Sequence, residues 1–328
     1  MLGIKRILCP TDFSEYSHRA LAHAIAVAKW NNARITVLHV VPVVFPPPLA
    51  VPAPAPPIPL DRKSRERLLL DLAAFAAPAE RARIPVTVEL VEGDAVAAIL
   101  TAAEEGKADL IVLGTHGARG FERFVLGSVT EKVLRKADCP VMTIPRGEPD
   151  GAPSEFLFEM ILCPVDFSDC SSGALEAASS IARETEGGLV LLHVIEWLPA
   201  DDPRLVRMRP EERAEVERSA REKLDALVQE NPPPAARLVR GGRPYKEIVR
   251  AAEECGAGLI VMGVQGRGAI DLMLFGSTTH HVIREARCPV LTVRAPRAAA
   301  LEAHALEALR APSESPVATG AAAGSPPS

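Results

Sequence analysis

The stretch Leu110-Ile111-Val112-Leu113-Gly114-Thr115-His116-Gly117, joined after nine further residues by Gly127-Ser128-Val129, decides how this chain is read. Four apolar residues of strand type run into a glycine-bearing loop, and the loop runs into a helix. Glycine lets backbone N–H groups approach an anion closely, and the first turn of a helix offers unpaired N–H groups at its partially positive end. A serine at that point adds a hydroxyl donor. The layout is that of a phosphate cradle. It returns as Leu259-Ile260-Val261-Met262-Gly263-Val264-Gln265-Gly266 and then, after nine residues, Gly276-Ser277-Thr278. Cys139-Pro140-Val141 and Cys288-Pro289-Val290 close the two blocks without an insertion.

Working outward, the repeat extends over most of the chain. Arg6-Ile7-Leu8-Cys9-Pro10-Thr11-Asp12-Phe13-Ser14 comes back as Met160-Ile161-Leu162-Cys163-Pro164-Val165-Asp166-Phe167-Ser168, and Val37-Leu38-His39-Val40 as Leu191-Leu192-His193-Val194. These early matches lie 154 residues apart, whereas Gly93 and Gly242, or Ser128 and Ser277, lie 149 apart. The second copy is therefore shorter, between its second and third strands.

Within each copy, short apolar runs alternate with helical periodicity. A strand holding Ile7 and Leu8 is expected to end at Pro10, and Ser14 is placed to cap a helix carrying Ala20, Leu21, Ala24, Ile25 and Ala28. Ala33 to Val41 is rich in β-branched residues and reads as the second strand. A proline-dense crossover, residues 42–60, leads to a charged helix from Asp61 to about Ala77. Val86 to Val91 is the third strand, Ala95 to Glu105 a short helix, and the quoted stretch supplies the fourth strand, the cradle and the fifth strand. Strands separated by helices imply right-handed crossovers and a parallel sheet covered on both faces. The expected organisation is a first domain at 1–146, a linker at 147–157, a second domain at 158–296, and a tail at 297–328 with one short helix before a disordered end. The proline-rich segment reads as a stiff surface crossover rather than a docking ligand for a polyproline-reading domain.

Composition narrows the function. The chain has 328 residues, 48% of them hydrophobic, and a formal charge of −5; the isoelectric point is about 6.0 and the mean hydropathy +0.11. That balance offers no concentrated basic surface for nucleic acid. No apolar run approaches the ~20 residues of a membrane-spanning helix, and no signal peptide is apparent, so a cytoplasmic location is expected. Cys9 with Cys163, and Cys139 with Cys288, recur beside proline at strand boundaries and read as small core residues; no CxxC is present among the six cysteines.

In an open parallel sheet, ligands sit beyond the carboxyl ends of the strands, where the strand order reverses. Asp12 and Asp166 lie just past the first strand of each copy and the cradle just past the fourth, so adjacent strands would bring carboxylate and cradle to one crevice. Each Asp equally suits a ribose hydroxyl, a metal-bound water or the cap of the following helix. Arg119, Arg123 and Arg267 are placed either to reach phosphate oxygens or to be solvated. His116 is replaced by Gln265, so nothing common to both sites depends on an imidazole there. His39 and His193, in apolar strands, read as satisfied core residues. His280 and His281 are adjacent on a helix and point about 100° apart, which does not suit one metal. A Walker loop, a Rossmann fingerprint after either first strand and a nucleophile elbow are all absent.

On these residues, both copies resemble the universal stress protein family, and specifically its nucleotide-binding branch. Glycine, two residues, glycine, nine residues, then glycine and serine is that branch's hallmark, and the flanking Cys-Pro-Thr/Val-Asp-Phe-Ser and Cys-Pro-Val segments are family-like. The resemblance implies tandem Rossmann-like α/β domains, each a five-stranded parallel sheet in the order 3-2-1-4-5. It implies ATP, ADP or AMP as ligand, with Mg2+ or Mn2+ bridging phosphates without a dedicated protein cage, and stress regulation with little or no catalysis. Asp12 and Asp166 would meet the nucleoside, with Pro10, Thr11, Pro164 and Val165 beside them, and the backbone of Val40 and Val194 would meet the adenine. Leu113, Gly114, Gly117, Gly127, Ser128 and Val129, with Met262, Gly263, Gly266, Gly276, Ser277 and Thr278, would hold ribose and phosphates. Family dimers pair through their fifth strands, so Val141 to Ile144 and Val290 to Val293 are expected to meet as an intrachain pseudo-dimer, with a homodimer as a further option.

Overall fold

A computed structural model describes residues 3–45, 58–116, 126–146, 158–196, 209–230, 236–264 and 276–294. The first copy contributes β1 (Arg6–Thr11), α1 (Glu15–Asn31), β2 (Arg34–Val41), α2 (Arg62–Arg81), β3 (Val86–Glu92), α3 (Ala95–Glu105), β4 (Leu110–Gly114), α4 (Ser128–Lys136) and β5 (Val141–Ile144). The second contributes β6 (Met160–Pro164), α5 (Asp169–Thr185), β7 (Gly188–Glu196), α6 (Pro210–Glu230), β8 (Ala236–Gly242), α7 (Pro244–Glu254), β9 (Leu259–Gly263), α8 (Ser277–Glu285) and β10 (Val290–Val293). The linker at 147–157, the tail, and most of the proline-rich crossover lie outside the described residues.

All ten strands belong to one sheet, in the order β3-β2-β1-β4-β5-β10-β9-β6-β7-β8. The two repeats are thus joined edge to edge in one continuous sheet, β5 meeting β10 as the pairing of fifth strands required. The junction is antiparallel, with Val290 opposite Thr143, Leu291 opposite Met142 and Thr292 opposite Val141. The other ladders, within each copy, are parallel. Two threonines reinforce the seam reciprocally, Thr143 Oγ1 donating to Val290 O at 3.3 Å and Thr292 Oγ1 to Val141 O at 3.0 Å. Arg294, just past β10, donates Nη2 to Leu134 O at 3.3 Å and to Arg135 O, so it satisfies carbonyls at the negative end of α4. Trp30 of α1 stacks on Phe158 ahead of β6, ring centroids 5.5 Å apart.

Strand alternation splits the core into two layers. Ile7, Cys9, Leu110 and Val112 face α1, α2, α5 and α6, while Leu8, Ile111 and Leu113 face α3, α4, α7 and α8. Burying both faces explains why the central strands read as continuous apolar runs rather than alternating ones.

Two boundaries move. The first strand continues through Pro10 to Thr11, because its ladder to β4 stops at Leu8 and Ile111, beyond which a missing N–H costs no bond on that side. The charged helix runs to Arg81 instead of about Ala77 and carries Pro78 inside it. Its apolar face, Leu72, Phe75, Ala76 and Ala79, stays buried on both sides of the proline, and that packing holds the last turn.

Candidate functional site

β1 and β4 are hydrogen-bonded neighbours, as are β6 and β9. Since β1 leads through α1 to β2 on its other side, each pair is a point where strand order reverses. Each β1–β4-type ladder is only two residues long, after which the pairing ends, the position at which a doubly wound sheet opens a crevice at the carboxyl ends of its strands.

Asp12 follows β1 at the mouth of the first crevice. Its Oδ1 accepts from the Ser17 hydroxyl at 2.6 Å and the Ser14 amide at 3.1 Å. Asp166 is held alike, with Oδ1 accepting from the Ser168 hydroxyl at 2.6 Å and the Ser168 amide at 3.1 Å. The caps of α1 and α5 are Ser14 and Ser168, which accept from the amides of Ser17 and Ser171. This removes the capping alternative for the aspartates: each turns the chain just ahead of the cap. Pro10, Thr11, Pro164 and Val165 are buried at the strand ends, and Val40 and Val194 are half-buried near the ends of β2 and β7.

The described cradle residues stand at the ends of β4 and β9 and the starts of α4 and α8. Leu113 and Met262 are buried, and Gly114 and Gly263 end their strands. Packing alone already requires glycine at Gly114 and Gly263. A Cβ on Gly114 would lie 2.9 Å from Tyr16 Cβ, and one on Gly263 would lie 2.9 Å from Cys170 Cβ and 3.0 Å from the Cys170 carbonyl carbon. The first helical turn of α1 or α5 thus presses directly on the strand end. Gly117 and Gly266, with Arg119, Arg123, Gln265 and Arg267, lie outside the described residues.

The helix entrances lack a side-chain cap. Gly127 and Gly276 are the N-cap residues of α4 and α8 and supply no side-chain hydrogen bond to the first turn, unlike Ser14, Asp61, Asp94 and Ser168 at α1, α2, α3 and α5. Their own amides are spent inside the protein, Gly127 N on Thr115 O at 2.8 Å and Gly276 N on Val264 O at 3.0 Å. The donors that can face an anion are therefore the amides of the next residues, Ser128 with Val129 and Ser277 with Thr278. Both serine side chains are exposed, and Val129 and Thr278 are half-buried.

Two further pairs were not singled out by sequence reasoning. Thr130 Oγ1 donates to Gly114 O at 2.8 Å and Thr279 Oγ1 to Gly263 O at 3.0 Å, tying each strand end to the first turn of the cradle helix. Their recurrence at the repeat spacing was the available signal. His116 is buried beside the first cradle, its Nδ1 3.0 Å from the Thr115 hydroxyl. Burial, with the nearby Arg146 charge, holds its pKa below the usual imidazole value. His281 Nδ1 meets Ser277 O at 2.7 Å within α8, and its ring stacks on Tyr245 at 4.6 Å. Among the described residues, no three His, Cys, Asp or Glu side chains gather into a metal site, and no helix is long and apolar enough to cross a membrane.

The fold is a doubly wound α/β sheet with an acidic residue and a helix entrance without a side-chain cap at each switch point. The chain belongs to the universal stress protein family, whose signature matches residues 3–145 and 158–294. It is 37% identical over 140 residues to a universal stress protein of Methanocaldococcus jannaschii, covering 43% of this chain and 81% of that one. A universal stress protein of Mycobacterium tuberculosis is 29% identical over 311 residues, covering 88% of this chain and 96% of its own. Among solved structures, a universal stress protein from Archaeoglobus fulgidus superposes with a TM-score of 0.64 at 27% identity, covering 89% of this chain and 98% of that one.

Proposed function

We propose that each repeat, 1–146 and 158–296, is a nucleotide-binding domain holding ATP, or ADP or AMP, and that the chain serves stress regulation as a holder or sensor of that ligand. The observation carrying this reading is the doubled juxtaposition, at one crevice in each copy, of a fixed carboxylate and an uncapped helix entrance. Asp12 and Asp166, ordered as hydrogen-bond acceptors, suit ribose hydroxyls. The amides of Ser128 and Val129, and of Ser277 and Thr278, suit phosphate oxygens, and the serine hydroxyls add a donor each. Mg2+ or Mn2+ would then sit on the phosphates, with no cage of side chains of its own. The backbones of Val40 and Val194 border the crevices and suit the adenine edge. Little turnover is expected, because each aspartate is locked to the serines beside it rather than free to activate a water. The pairing of β5 with β10 supports reading the chain as an intrachain pseudo-dimer whose fifth-strand edges are mutually covered.

Mass spectrometry of small molecules released by heat denaturation, with ATP titration calorimetry on the full chain, tests the reading. Two binding events are expected, both lost in Asp12→Ala with Asp166→Ala. Absence of ATP binding to the intact chain, or undiminished binding in that double variant, would overturn it.

A further inference from the structure

A single imidazole grips both neighbours of each crevice aspartate. His39 Nδ1 lies 2.8 Å from Thr11 O, and His193 Nδ1 lies 2.8 Å from Val165 O. A carbonyl can only accept, so Nδ1 carries the proton in both rings. Thr11 and Val165 immediately precede Asp12 and Asp166. On the far side, Phe13 packs its ring against His39 with centroids 4.5 Å apart, and Phe167 packs against His193 at the same 4.5 Å. Phe13 and Phe167 adopt φ of 62° and 63°, a left-handed backbone that is unfavourable for an aromatic residue. Such strain persists only where the surroundings over-determine it; the tilted imidazole contact is common to both copies, joined at Phe13 by the edge of Phe75 and by the Thr11 hydroxyl accepting from the Phe13 amide, and at Phe167 by the Lys223 ammonium.

We propose that His39 and His193 are positioning residues for the crevice carboxylates, each clamping the residue before the aspartate by a hydrogen bond and the residue after it by ring contact. The aspartate is thereby presented at a fixed angle. Simple core filling accounts poorly for the arrangement: a residue filling space needs neither the same carbonyl nor the same strained aromatic in both copies. The Ser14 and Ser168 amides, which donate to Asp12 and Asp166 Oδ1, report on the clamp without any ligand. Its bearing on affinity rests on the nucleotide reading above; its bearing on geometry does not.

Two double variants of the full chain separate the contributions. His39→Phe with His193→Phe keeps an aromatic surface and removes the donor; His39→Asn with His193→Asn places an amide N–H near the former Nδ1 and removes the ring. ATP binding by calorimetry and amide hydrogen exchange by NMR without ligand are measured on both. The phenylalanine variant should bind ATP about tenfold more weakly, with exchange accelerated at Ser14 and Ser168 but unchanged in the core strands. The asparagine variant should recover much of the affinity. If the phenylalanine variant keeps both wild-type affinity and wild-type exchange at these amides, or if exchange rises uniformly through the core, the clamp is refuted. Should the parent chain bind no ATP while the local exchange effect appears, the nucleotide reading falls and the clamp stands.

Discussion

Replacing Ser128 and Ser277 together with aspartate should weaken nucleotide binding while leaving the fold intact or slightly steadier. Both serines are exposed first residues of helices whose glycine caps give no side-chain hydrogen bond, so among the described residues an added carboxylate has room. A negative charge there complements the helix dipole by about 0.3–1 kcal/mol per helix, less where solvent screens it. A phosphate bound to the same amides would lie roughly 4 Å from the new carboxylate. Two like unit charges at that separation repel by about 1 kcal/mol in bulk water and about 4 kcal/mol at a protein surface. Affinity should therefore fall by about fivefold to several hundredfold. Calorimetry with ATP at low and high salt measures the loss, which should shrink as salt screens the charges, and thermal melting checks the fold. Unchanged ATP affinity in a fully folded aspartate variant would refute the placement of the phosphates at these helix entrances, and the neutral Ser128→Asn with Ser277→Asn separates charge from shape.

Three other outcomes follow from the geometry. Gly114→Ala or Gly263→Ala should destabilise the chain by about 1–3 kcal/mol in urea denaturation, since the added methyl meets the first turn of α1 or α5 at 2.9 Å. Thr130→Val and Thr279→Val should each cost about 1–3 kcal/mol by the same measurement, because the partner carbonyl of Gly114 or Gly263 loses its hydrogen bond. Burial pushes the Cys9 and Cys163 thiols from 9.0 up to about 12, so both should resist alkylation at pH 8 until the protein unfolds. Their folded values lie above their unfolded ones, so their contribution to stability is whole below about pH 9 and drains away as pH rises toward 12, visible as a falling urea midpoint.

Much of this architecture was legible because the determinants are local and doubled. The alternation of strand and helix signals, the cap at Ser14 and the strand-end aspartates all lie within short windows of sequence, and the return of these segments in the second copy separates signal from accident. What escaped depends on elements far apart in the chain. Gly114 and Gly263 read as anion-approach glycines; that packing also demands glycine there follows only from the position of Tyr16 or Cys170 against the strand end. His39 and His193 read as satisfied core histidines, which is correct as far as the hydrogen bond goes. Their second contact, with Phe13 and Phe167, needs the backbone φ that no composition reveals. The extension of α2 past Pro78 was hidden for a related reason: propensity argues for a stop there, and burial of Phe75, Ala76 and Ala79 overrules it.

The reversal of strand direction between β5 and β10 has a geometric corollary for occupancy. Carboxyl ends of β1 and β4 open on one rim of the sheet and those of β6 and β9 on the opposite rim, so two bound molecules would never meet. Crosstalk would travel through the central ladder, the shared core, the Trp30–Phe158 stack and the Arg294 contact to α4, for which last the first copy has Pro145 at the matching position. If both crevices bind as proposed, tethering the halves would fix a one-to-one ratio of two sites whose affinities are free to drift apart, so that a single polypeptide could respond over a wider range of ligand concentration than two identical sites would allow.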